Sequence, residues 1–175
     1  MKYRELFRKE AYKNLRRVVW SQTFLTWTLP YYVVGVGILI EKMSLPSFQL
    51  GISLTAVVGG CILGHNFSSL LNSNFEPKQV LIVFMPMLLV CNTSFLLVQK
   101  SYFLLTVLLF LHGVIGGVNL TSMNVVYRGL LPDDPDERQV IKSKFSPLPN
   151  LTAGLSGVVV TLFMGKFGWN IPDLL

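Results

Sequence analysis

The chain has 175 residues, 51% of them hydrophobic and 14% charged, with a formal net charge of +6 and a mean hydropathy of +0.53. Soluble domains carry about 25% charged residues; here the deficit goes with apolar residues gathered into long blocks, which excludes a soluble globular domain. The positive charge does not point to nucleic acid either, because seven of the fifteen cations lie in the first 17 residues beside the first apolar block, where basic residues set membrane topology.

Residues 1–17 read as a basic cytoplasmic lead-in, and residues 18–175 as a transmembrane bundle. A helix crossing roughly 30 Å of hydrocarbon needs about 20 mostly apolar residues. Five blocks meet that test: Val18–Ile40, Phe48–Leu71, Val80–Val98, Tyr102–Val126 and, less cleanly, Leu148–Phe167. None of the nine acids and none of the cations except Lys166 lies within them. Placing a charge at mid-bilayer costs at least about 2.5–3.5 kcal/mol, which explains that partition. The expected fold is all-α: a polytopic membrane helical bundle of about five transmembrane helices.

The first block is too long for a signal peptide core, carries Pro30 mid-run and has no small-residue cleavage site after it, so it is expected to remain as an anchor. Trp20, Thr23, Trp27 and Tyr31 line one of its faces. Pro30, Gly35 and Gly37 predict a bend. On the second block, Gly60 and Gly64 form a GxxxG pair, and Cys61 and His65 share a face one turn apart. Two such ligands make no metal site, and packing plus one interhelical hydrogen bond is the expected role. The fourth block holds HGVIGGVNLTSMN, residues 112–124, where His112, Gly116, Asn119 and Met123 follow a helical stripe flanked by Gly113, Gly117 and Asn124. Amides and glycines are poor lipid-facing material, so these faces should point at other helices or a watery cavity.

Between the fourth and fifth blocks, Asp134-Pro135-Asp136-Glu137 reads as a helix start, with an Asp cap, Pro in the first turn and acids at the positive end of the dipole. Arg138, Lys142 and Lys144 then follow on a short interfacial helix. Gly154-Leu155-Ser156-Gly157 matches the GxSG string of intramembrane serine proteases, but both histidines precede Ser156 and no base follows it. Gly154 and Gly157 are better read as a packing face, with Gly60, Gly64, Gly113 and Gly117. No enzyme, cofactor or metal motif is present, so the chain is not expected to be an enzyme. With the N-terminus inside, twelve of the fifteen cations fall on the cytoplasmic side, which by the positive-inside rule gives a multi-pass protein of the cell (plasma) membrane.

Taken in order, these stretches resemble the C-terminal half of a major facilitator superfamily transporter, nearest to the multidrug–proton antiporters of the MdfA type. The basic lead-in runs into a span with Pro30, and Leu45–Gly51 makes an outer turn. Gly60–Asn66 lies towards an inner end, Gly113, Gly116, Gly117 and Asn119 sit in the fourth span, and Phe167–Asn170 closes the fifth. The resemblance implies helices seven to eleven of a twelve-helix carrier, cut before the last. It implies alternating access for amphipathic or drug-like small molecules, with Trp27, Tyr31, His112, Asn119 and Met123 lining the substrate cavity. No membrane carboxylate is present to carry protons, so the resemblance also implies a complementary transporter half or a second copy as partner, besides the lipid bilayer and the substrate. Two other readings stand beside it: a substrate-capture subunit of an energy-coupling-factor transporter, and a non-transporting scaffold or degenerate half-carrier.

Overall fold

The computed structural model describes residues 10–42, 44–94, 101–145, 147, 148, 151, 155, 158, 159 and 162, and of residues 11, 24, 26–35, 38, 39, 41 and 42 the backbone alone. A 3-10 turn at Glu10–Tyr12 leads into α1 (Lys13–Lys42), followed by α2 (Phe48–Asn74), α3 (Pro77–Ser94), α4 (Tyr102–Gly129) and the short α5 (Pro135–Phe145). Among the described residues there is no strand. Three helices, α2, α3 and α4, are long and apolar enough to cross a membrane. The expected fifth span, Leu148–Phe167, with Gly154 and Gly157, and the last four residues of the third, 95–98, lie outside the described residues except for isolated helical positions.

Local signals account for the helix ends. Ser101 caps α4, its side chain accepting from Leu104 N. Asp134 caps α5: its Oδ1 accepts from Asp136 N at 3.0 Å and its carbonyl from Arg138 N at 2.9 Å, with Pro135 in the first turn, where its missing N–H costs no bond. Between α1 and α2, Leu45 N donates to Ile40 O at 3.1 Å while Ser44 takes φ 53. That is a Schellman closure with a left-handed residue past the helix end.

Which side chains face inward identifies the solvent. The buried residues of α2 are Ser53, Gly60, Gly64 and Ser68, while Ile52, Val58, Ile62, Leu63, Phe67 and Leu70 are exposed. On α3, Ile82 is 72% exposed, and on α4, Phe103 is 74% exposed. Small and polar groups inside with large apolar ones outside would be untenable in water, and it is the arrangement a bilayer favours. This is the make-up of a membrane protein.

Pairings reveal helix direction. Gly60, His65, Ser68 and Asn72 of α2 meet Phe110, Thr121, Val118 and Ser122 of α4, so α2 and α4 run parallel. Phe84 and Asn92 of α3 meet Asn119 and His112 of α4 in antiparallel order. α1 is antiparallel as well: Gln22 reaches Asn124 at 2.6 Å, while Val36 and Ile40 share a core cluster with Leu105 and Leu109. Successive helices from α1 to α4 therefore alternate in direction, and for α2, α3 and α4, the three long and apolar enough to span, that is the order consecutive membrane crossings require.

At the end of the bundle carrying the lead-in, α5 does not lie free. Ile141 and Phe145 pack with Tyr12, Leu15, Val19 and Leu131 in a separate cluster, and the Tyr12 hydroxyl donates to Glu137 Oε1. The hydrogen bond to the Glu137 carboxylate, then burial and the charge of Glu137, push the Tyr12 phenol up from 10.0 to about 12. Because the folded value exceeds the unfolded one, the bond contributes stability below about pH 10 that is lost as pH rises towards about 12. Absorbance titration is expected to show late phenol ionisation that Tyr12→Phe reduces by one group; an unchanged titration curve would refute the contact.

Candidate functional site

The polar residues in the apolar α4 converge on one question: what satisfies them. α4 is the central helix, with ten of its 28 residues buried: Leu105, Leu109, His112, Gly113, Ile115, Gly117, Val118, Asn119, Ser122 and Met123. Five of its polar side chains, His112, Asn119, Thr121, Ser122 and Asn124, reach a neighbouring helix. His112 Nδ1 lies 3.2 Å from Asn92 Oδ1 on α3. Asn119 Nδ2 donates to the Phe84 carbonyl on α3 at 3.1 Å. Thr121 Oγ1 meets His65 Nδ1 on α2, and Asn124 Oδ1 accepts from Gln22 Nε2 on α1. Ser122 joins a closed group with α2: Asn72 Nδ2 donates to Ser68 Oγ at 2.8 Å and to Ser122 Oγ at 3.2 Å, and Ser122 Oγ returns a bond to Asn72 Oδ1 at 3.2 Å. In hydrocarbon an unmet polar group is costly, so such bonds fix helix register.

The glycines set how closely α2 and α4 approach. A Cβ at Gly60 would stand 2.2 Å from the Phe110 carbonyl oxygen, and one at Gly64 2.1 Å from that of Val114. Reciprocally, a Cβ at Gly113 would stand 2.2 Å from Val57 O, and one at Gly117 2.5 Å from Cys61 O. Each glycine Cα–H therefore points at a carbonyl of the facing helix, the weak hydrogen bond that recurs in such pairs. The two GxxxG pairs expected to pack do so against each other. Gly154 and Gly157 lie outside the described residues.

Of the residues expected to line a substrate cavity, His112, Asn119 and Met123 are 6%, 0% and 3% exposed, all inside the bundle. The side chains of Trp27 and Tyr31 lie outside the described residues. Within the stripe, Gly116 differs from its neighbour Gly117: a Cβ there would meet nothing within 4 Å. One turn on, Asn119 Oδ1 is buried without a hydrogen-bond partner among the described residues, a desolvation cost of about 1–3 kcal/mol. The stripe thus brings together open space and an unmet acceptor. On α1, Thr23 is buried but Trp20 is 53% exposed, so the face expected there is divided.

Several participants were not legible from sequence. Asn92, the partner of His112, sits within the third apolar block and carries no motif. Ser68 and Asn72 are one turn apart on α2 and carry no motif, and Ser122, which joins them, lies fifty residues beyond Asn72. Cys61 is half-buried against α4 and His65 is bonded to Thr121, so the pair serves packing; among the described residues no three His, Cys, Asp or Glu side chains are grouped to hold a metal. No protein-family model, curated protein or solved structure matches the chain.

Proposed function

We propose that the chain is part of a secondary transporter of the major facilitator type, moving amphipathic or drug-like small molecules across the cell membrane by alternating access with a complementary half or second copy. The single observation that carries this reading is Asn119, wholly buried with Oδ1 unpartnered among the described residues, on the same stripe as the space those residues leave open at Gly116. A carrier needs polar groups at bilayer depth that a substrate can satisfy and a helix can release. In this reading Asn119 offers the acceptor, His112 and Met123 flank it, and the interlocked α2–α4 pair provides the body against which other helices move. None of the spans holds a carboxylate, so proton coupling belongs to the partner.

The test is saturable binding of rhodamine 6G to the purified chain in lipid nanodiscs, followed by tryptophan quenching. Asn119→Leu is expected to weaken binding about tenfold, the loss of roughly one hydrogen bond, and proteoliposomes of this chain alone should show no proton-driven flux. Equal binding by Asn119→Leu defeats the reading. A membrane scaffold is the second reading, favoured by the interhelical bonds that His112 and Asn119 already make; it predicts no saturable binding by the wild type.

A further inference from the structure

α3 differs from α2 in how it is held against α4: where α2 meets α4 backbone to backbone at glycines, α3 packs on α4 through side chains, with Val80, Leu88 and Cys91 buried. Pro86 stands in the middle of it, exposed. A proline there removes one backbone bond and crowds the carbonyl four residues earlier, leaving a soft point in the helix. Side-chain bonds from α4 secure the two sides of that point separately: Asn119 Nδ2 holds the Phe84 carbonyl, two residues before Pro86, and His112 holds Asn92, six residues after it. Beside the first half lies an open cleft of about 230 Å³, lined only by apolar surface of Leu71, Phe75, Gln79, Val80, Val83 and Phe84. α2 and α4, by contrast, meet backbone to backbone at four glycines and have no room to slide.

We propose that α3 is a jointed helix: its first half, residues 77–85, swings about Pro86 into the cleft against α2 when the Asn119–Phe84 bond is released, while its second half and the α2–α4 pair stay in place. The bond that must break belongs to the residue whose Oδ1 already lacks a partner, so any donor that engages Asn119 and turns its amide frees the half-helix. The joint is a property of the fold and operates whether or not the chain carries a substrate. If it does, the swing is triggered by a substrate donor that engages Asn119, a step that rests on the proposed function.

Nitroxide distance measurements on the full chain in nanodiscs, with Cys61 and Cys91 replaced by alanine, test this directly. Labels at Ile82 and Phe67 report the first half of α3 against α2. Labels at Leu89 and Val58 report the second half, and labels at Ile62 and Val125 report the α2–α4 pair. The first pair is expected to be at least about twofold wider than the third, with a shorter-distance component. Asn119→Ala should enlarge that component without widening the second pair. Val83→Phe, which fills the cleft, and Pro86→Ala, which restores the helix, should each narrow the first pair to the width of the third. Equal widths for all three pairs in the wild type overturn the proposal. So does Asn119→Ala widening both halves alike, or a first pair left unchanged by Pro86→Ala and Val83→Phe.

Discussion

Gly64→Leu is expected to separate α2 from α4 and to cost about 4 kcal/mol or more, at the far end of what single substitutions do. Even alanine cannot be accommodated by a side-chain adjustment, because the atoms its Cβ would meet are the Val114 carbonyl oxygen at 2.1 Å, carbonyl carbon at 2.9 Å and Cα at 3.0 Å. Only a shift of one helix relative to the other relieves that clash, and the shift draws Gly60 and Gly117 away from their carbonyls and opens the Ser68–Asn72–Ser122 group. Gly64→Ala should therefore lose about 1–3 kcal/mol. The informative control is Gly59→Ala, since a Cβ at Gly59 meets nothing within 4 Å; it should be neutral or stabilising by about 0.5–1 kcal/mol, because glycine is a poor helix former. Thermal unfolding in detergent, followed by maleimide-dye reaction at Cys61 and Cys91, measures all three. Gly64→Ala as neutral or stabilising as Gly59→Ala would show that the two glycines act only through helix propensity and would refute the close approach.

Phe145→Ala is the second large effect. Phe145 is 2% exposed and Ile141 0%, and together they hold α5 against Tyr12, Leu15, Val19 and Leu131. Truncating a buried phenylalanine costs about 3–5 kcal/mol, more than an 11-residue helix joined to the bundle by one small cluster can absorb. The expected outcome is local: α5 detaches and the membrane helices remain assembled. Trypsin should then cut at Arg138, Lys142 and Lys144 about a hundredfold faster, because cleavage follows the population of the opened state, while the maleimide unfolding temperature moves little. Val140→Ala, at a position 36% exposed, should change neither readout. A Phe145→Ala protein that unfolds globally at the same rate as it is cut would show that α5 and the bundle form one cooperative unit. The apolar face of α5 was not anticipated: its charges suggested a short interfacial helix, and the structure adds that Ile141 and Phe145 seat it on protein.

Chain order and composition were enough to establish an all-helical membrane protein, the starts of α2 at Phe48 and α4 at Tyr102, and the Asp134 cap of α5, because transfer free energy and capping act over one or two turns of adjacent residues. They also singled out the glycines and polar residues of α4 as inward-facing material. What they could not decide is which of two neighbouring residues faces inward on what. Gly59 and Gly60 are adjacent and chemically identical, yet a Cβ on one meets nothing and on the other meets Phe110 O at 2.2 Å; Gly116 and Gly117 divide the same way. The same holds for His112 finding Asn92, Ser122 finding Asn72, and Asn119 holding the helix just before Pro86. These pairings join segments far apart in sequence, and helix rotation within the assembled bundle selects them. A periodicity of 3.6 residues defines a face only to within a residue, while backbone contact at glycine discriminates to a fraction of an ångström, so only the packed tertiary structure could make that choice.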